Sequence, residues 1–156
     1  MNSKKLLKHI IVLAILGMLI TVYLTYQHYA PTGSKLCNFT DTISCDIVNK
    51  STYSELFSAV HLEELALLLG FDIPVSILGF FTYFVIMILA ILLLKNPRES
   101  LSTFLVYLTG IGAIFSLYLT IIEAFVLEAW CIFCVTQAII ILVLFWYAWK
   151  INAAKH

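Results

Sequence analysis

The sequence predicts an all-α integral membrane protein: a four-transmembrane-helix bundle with an outer-loop cap containing short interfacial helices. Composition is the first observation behind this. Of 156 residues, 62% are apolar and 12% charged, and mean hydropathy is +1.02; soluble domains are roughly 45–50% apolar and ~25% charged. A single domain spanning residues 1–156 cannot hide that much apolar surface from water, so lipid is the expected solvent. The second observation is a set of four apolar stretches, about residues 9–29, 73–94, 101–123 and 129–149. Crossing roughly 30 Å of hydrocarbon takes about 20 residues, and all four qualify. No Lys, Arg or Asp interrupts them, where each would cost roughly 2.5–3.5 kcal/mol on insertion. The third observation is cation placement. Lys4, Lys5, Lys8, Lys95, Arg98, Lys150 and Lys155 flank one side, and only Lys35 and Lys50 the other. Positive charge marks the cytoplasmic side, so both termini are expected inside and the two acidic connections outside. Net charge is zero and no basic block suggests nucleic acid.

The first stretch has a basic start, but its exit at Tyr23–Tyr29 lacks a small-residue cleavage site, so it reads as a retained anchor. Its tyrosines form an interfacial belt. The outer loop then runs over about residues 30–72. Pro31–Ser34 is a turn cluster, and Cys37–Cys45, rich in Asn, Thr, Asp and Ser, reads as loop. Ser51–Glu55 predicts a helix start, with a hydroxyl cap and an acid in the first turn. Leu56–Leu69 is too short and too charged to span, and predicts one or two helices lying along the membrane surface until Gly70. Asp72-Ile73-Pro74 opens the second span, proline being tolerated in a first turn. Asn96-Pro97 makes the inner turn, and Glu123–Trp130 is a short outer link. There is no internal repeat and no low-complexity segment.

All four cysteines, Cys37, Cys45, Cys131 and Cys134, fall on the outer, oxidising side, where disulfides persist. Cys131 and Cys134 form a CxxC at the mouth of the fourth span, within reach of a water-borne protein and a lipid-dissolved cofactor. Helical residues three apart have Cβ atoms about 5–6 Å apart, and disulfide Cβ atoms sit nearer ~3.8 Å. A first-turn adjustment therefore permits a reducible disulfide. The helix N-terminus favours thiolate, and Cys134, one turn deeper, is expected to need that helix end plus an electron-accepting neighbour. Cys37 and Cys45 lie in a loop able to face a soluble protein and then swing to the CxxC. Exchange through mixed disulfides then permits a relay from protein dithiol to loop pair to CxxC to membrane acceptor. The competing reading is two inert disulfides bracing a cap.

No metal is expected: C-x7-C…C-x2-C is not the short-knuckle zinc pattern, and His9, His28, His61 and His156 are scattered. Glu123, at the outer end of the third span, is a candidate for delivering protons; its bland reading is a solvated interfacial carboxylate. Ser51 reads as capping its helix and anchoring the loop. Phe80, Phe81, Tyr83, Phe115 and Phe133 can line a slot or simply pack the bundle. Pro74 and Gly79 can shape the entrance to the second span.

With the cysteines placed, the chain resembles the vitamin K epoxide reductase family, of the prokaryotic type, over nearly its whole length. The resemblance rests on Cys37, Ser44-Cys45-Asp46, Ser51, Ile73-Pro-Val-Ser-Ile-Leu-Gly79, Tyr118-Leu-Thr120 and Ala129-Trp-Cys-Ile-Phe-Cys134. It implies a four-helix bundle around a quinone of the ubiquinone, menaquinone or vitamin K type, with Pro74, Phe80 and Phe133 joining Cys134 as candidates at that ligand. It implies that Cys134 faces the quinone, Cys131 exchanges with Cys45, and Cys37 meets an external thiol protein. Prokaryotic members oxidise thioredoxin-fold partners that place disulfides in exported proteins. Because this chain stops at His156 without a fused thioredoxin domain, the resemblance implies a separate, DsbA-like partner. The cysteines would then face the periplasm or exterior of a bacterial or archaeal cell, or the ER lumen of a eukaryote. Two positions depart from vertebrate members: an asparagine and a tyrosine that hold the ligand there are Val75 and Ala138 here, which argues for quinone over epoxide reduction. Epoxide reduction and a non-enzymatic four-helix scaffold are the competing functions. A DsbB-like oxidase also has four helices and four outer cysteines, but with the CxxC in the first outer connection.

Overall fold

The computed structural model describes residues 3–30, 38–40, 43–56 and 73–154. Among these residues, four helices are long and apolar enough to cross a membrane: α1 (Ser3–Tyr29), α3 (Val75–Lys95), α4 (Glu99–Phe125) and α5 (Ile132–Ala153). The protein is therefore an all-α, multi-pass integral membrane protein. Between α1 and α3 lie β1 (Asn38–Thr40), β2 (Ile43–Ser44), the short helix α2 (Cys45–Asn49) and a 3-10 turn (Thr52–Ser54).

The spanning helices are apolar on every face, as a helix with lipid on one side and helices on the other requires. Val12, Leu19, Ile111 and Ile114 point outward, whereas Ile10, Ile86, Leu105, Leu144 and Ile151 are fully buried. α1 packs on α3 and α5, and α4 closes the ring against both. α1 starts at Ser3, six residues ahead of its apolar stretch, because Lys4, Lys5 and Lys8 are good helix formers and Leu6 and Leu7 are buried among them. Gly17 lets α3 approach: a Cβ there would lie 2.7 Å from the Tyr83 ring.

The connection from α1 to α3 departs from the reading as plain loop. β1 and β2 pair antiparallel, with an irregularity between Asn38 and Thr40, since backbone groups near a bilayer must find partners. Ser44 caps α2, its hydroxyl accepting from the Ile47 amide at 3.4 Å. Ser51–Glu55 is not an α-helix start. Thr52–Ser54 form one 3-10 turn, and Glu55 is extended, bridging Pro74. Ser51 makes no cap bond; its hydroxyl donates backwards to the Val48 carbonyl at 2.7 Å. Pro74 stands just before α3, at its N-cap, rather than inside the first turn. The interfacial helices expected beyond Leu56, and Cys37, lie outside the described residues.

Candidate active site

Two chain segments run side by side into the cysteines. Ile43 pairs with Trp130 in a parallel bridge; two residues on, Cys45 opens α2, and one residue on, Cys131 precedes α5. The Cys131 thiol consequently lies 3.2 Å from Cys45 Sγ, with both residues almost fully buried. This is a contact rather than a bond, for a disulfide is about 2.05 Å long. Cys45 is itself disulfide-bonded, while Cys131 and Cys134 are free thiols. A reduced thiol thus rests against one sulfur of a formed disulfide, which is where thiol–disulfide exchange begins.

The end of α5 serves Cys131 rather than Cys134. Cys131 occupies the N-cap, and its sulfur accepts the Cys134 amide at 3.3 Å. The Cys134 side chain, with help from the Cys134 and Phe133 amides, holds the Cys131 thiol below its ordinary pKa, outweighing burial and the nearby Glu123 carboxylate. Amide donors at a helix N-terminus favour the anionic sulfur.

Glu123 is not a solvated carboxylate. It is 4% exposed, and Oε2 accepts the Cys131 amide at 3.2 Å. Its main-chain carbonyl takes the Ala129 amide. The chain reverses between α4 and α5 through Glu128, whose φ of 49° is left-handed, and this reversal brings Cys131 back over the last turn of α4.

Beneath this cluster lies a cavity of about 180 Å³, roofed by α2 and the 3-10 turn and walled by all four spanning helices. The surface it presents is mainly apolar, although Ser and Thr hydroxyls are interspersed, with Cys134 and Glu123 together on its wall and Ser51 in its roof. Of the aromatic candidates, Tyr83 and Phe115 reach it. Phe80 does not: it faces a separate shallow groove with Val22, Thr25 and Phe81. Val75, Gly79 and Thr82 share one face of α3, and Phe80 is turned away from it by helical spacing. Phe133 likewise points off the Cys134 face and packs on Tyr23, with ring centroids 4.8 Å apart. Pro74 spends its backbone on the Glu55 bridge.

Two carboxamides that line the cavity escaped the sequence reading. Asn49 is buried in the roof; its Nδ2 donates to the Leu24 carbonyl at 2.8 Å and its own carbonyl receives His28 Nδ1–H at 2.7 Å. Nothing in the loop composition distinguished it. Gln137 donates from Nε2 to the Gly17 carbonyl at 2.9 Å, and its Oε1 is buried with no partner among the described residues. Its signal was available: a carboxamide inside a span, three residues beyond Cys134 and on the same helical face.

Comparison with known proteins places this arrangement. A search of curated proteins finds no match. The family model described as the vitamin K epoxide reductase family matches residues 8–149, a stretch that takes in every cysteine, the whole of α3 and α4, and all but the outermost residues of α1 and α5. The chain therefore belongs to the vitamin K epoxide reductase family and is a membrane oxidoreductase.

Proposed function

We propose that the protein is a thiol–quinone oxidoreductase that relays electrons from a separate thioredoxin-fold protein to a bound quinone. The observation that carries this is the 3.2 Å contact between the Cys131 thiol and disulfide-bonded Cys45, with Cys134 of the same CxxC on a cavity wall. Sidedness follows the cation asymmetry: both termini cytoplasmic, and the cysteines in the oxidising compartment. Residues 1–156 act as one unit.

A partner dithiol reduces a Cys37–Cys45 disulfide through Cys37 and leaves oxidised. The Cys45 thiolate then attacks Cys131 of a Cys131–Cys134 disulfide, forming the Cys45–Cys131 bond and releasing Cys134 as thiolate. Cys37 attacks Cys45, which restores the loop disulfide and frees Cys131. The result is an oxidised loop pair beside a reduced CxxC, the pattern found here for Cys45, Cys131 and Cys134. A quinone, when bound, supplies the acceptor of two electrons and two protons.

The residues fit such a group. The cavity is a slot with mainly apolar walls, it opens beside Cys134, and it is lined by Gln137, whose Oε1 is buried without a donor among the described residues. Glu123, which shares the cavity wall with Cys134, is placed to hold and pass the proton released as that thiol is oxidised. Ser51 anchors the roof through Val48. Val75 lines the cavity and offers no hydrogen bond, and Ala138 is buried outside its lining. This favours quinone over epoxide as the oxidant.

With dithiothreitol as donor, Cys134→Ser is expected to lower quinone reduction on the order of 10³-fold or more, as loss of a reacting residue does. Cys37→Ser is expected to keep that reaction and to lose oxidation of a thioredoxin-fold protein. Retained quinone reduction in Cys134→Ser would overturn the assignment and favour a structural scaffold.

A further inference from the structure

We infer that Gln137 determines which redox form of the ring the site prefers: its Oε1 accepts a hydrogen bond from a hydroxyl of the hydroquinone, so reduced ring binds more tightly than oxidised. The inference rests on the quinone reading above and deepens it. Three helices meet at this residue. Nε2 donates to the Gly17 carbonyl of α1 at 2.9 Å. The opposite flip would set two oxygens against each other with no proton between them, so the orientation is determined by chemistry rather than by choice. The missing Cβ of Gly17 leaves room for the Tyr83 ring of α3, and the Tyr83 hydroxyl donates to the main-chain carbonyl of Gln137 at 3.3 Å. That donor is thus spent on the backbone, and Oε1 remains buried without a partner among the described residues.

Cys134, Gln137 and Ile141 all line the cavity, and their spacing puts them on one face of α5. A ring within reach of Cys134 therefore lies about one helical turn from Gln137. Buried acceptors are costly unless a donor meets them. The carbonyls of a quinone are acceptors only and would oppose Oε1, whereas a hydroquinone hydroxyl donates to it. One such bond discriminates by about tenfold. For a two-electron couple, tenfold corresponds to about 30 mV, making the bound quinone a stronger oxidant of the CxxC.

The test is anaerobic binding of a short-chain quinone and of its hydroquinone to the full chain in detergent, using Cys134→Ser so that no turnover intervenes. The expected result is hydroquinone bound about tenfold more tightly, with the two affinities converging to within about twofold when Gln137→Met is added. Equal or tighter quinone binding in Cys134→Ser alone overturns the inference, and this arm needs no change at Gln137. Persistence of the preference in the double variant also overturns it. If neither ligand binds, the quinone reading itself fails and the inference falls with it.

Discussion

The two ends of the bundle are built on different principles. At the end where the N-terminal turns of α1 and α4 meet the C-terminal turns of α3 and α5, Ile10, Ile86, Leu105, Leu144 and Ile151 interlock with no exposed surface. At the cysteine-bearing end, the buried set includes Gln27, Ser44, Asn49 and Glu123 beside Cys45 and Cys131, and the helices part around a cavity. In lipid, apolar side chains gain little by leaving the solvent, so van der Waals packing and hydrogen bonds hold helices together. The closed end relies mainly on packing, with a hydrogen bond from Thr103 of α4 to Asn152 of α5 at its margin. The open end relies on hydrogen bonds that cross between elements: Thr25 to Ser76, Asn49 to Leu24, Gln137 to Gly17 and Cys131 to Glu123. In the proposed relay, separating the two would let the thiol end rearrange while the bundle stays assembled.

The comparison breaks most sharply if damage at the closed end reaches the chemistry. Leu144→Ala removes a fully buried side chain and is expected to cost about 2–5 kcal/mol through lost contacts and a cavity. Thermal unfolding in detergent checks this. Below the lowered Tm, dithiothreitol-driven quinone reduction is expected to keep its KM. A changed KM would mean that the two ends are one packing unit.

Glu123→Gln strikes the open end alone. Gln keeps a side-chain oxygen for the Cys131 amide but cannot carry a proton between Cys134 and the ligand. Quinone reduction is expected to fall about 10²-fold, the scale of general acid–base assistance, with Tm close to that of the unsubstituted chain. Full activity would return Glu123 to a purely structural role.

The difference between the ends also explains what the sequence disclosed. Length and hydropathy are enough to place four spans, because lipid imposes them, so the architecture was legible from residues 9–149. Cys45, Cys131 and Cys134, which the structure brings together, were legible as candidates from their spacing. What was hidden was orientation. Phe80 and Phe133 sit on the right helices but face the wrong way, a choice set by which residues meet neighbouring helices. Glu123 looked exposed because it ends an apolar stretch; only the reversal through Glu128 folds the Cys131 amide onto its carboxylate. Ser51 looked like a cap because its composition fits one, yet its hydroxyl turns back to α2.

That last bond gives the smallest and most local test. The Ser51 hydroxyl joins the end of α2 to the 3-10 turn at 2.7 Å, and the Ser51 carbonyl receives the Ser54 hydroxyl at 2.8 Å. Ser51→Ala removes the first bond only, for an expected local cost of about 0.5–1.5 kcal/mol. If the cap is an independent layer over the bundle, amides of residues 45–54 will exchange with deuterium several-fold faster, while those of α3 and α5 remain as protected as before. Transfer from the loop pair to the CxxC should slow by a similar factor, because the Cys45–Cys131 contact depends on α2 staying in place. Reduction of quinone by an already reduced CxxC should be unaffected by that step. Faster exchange throughout the bundle, or a loss of Tm matching that of Leu144→Ala, would show that the roof is part of the closed core and that the division drawn between the two ends is wrong.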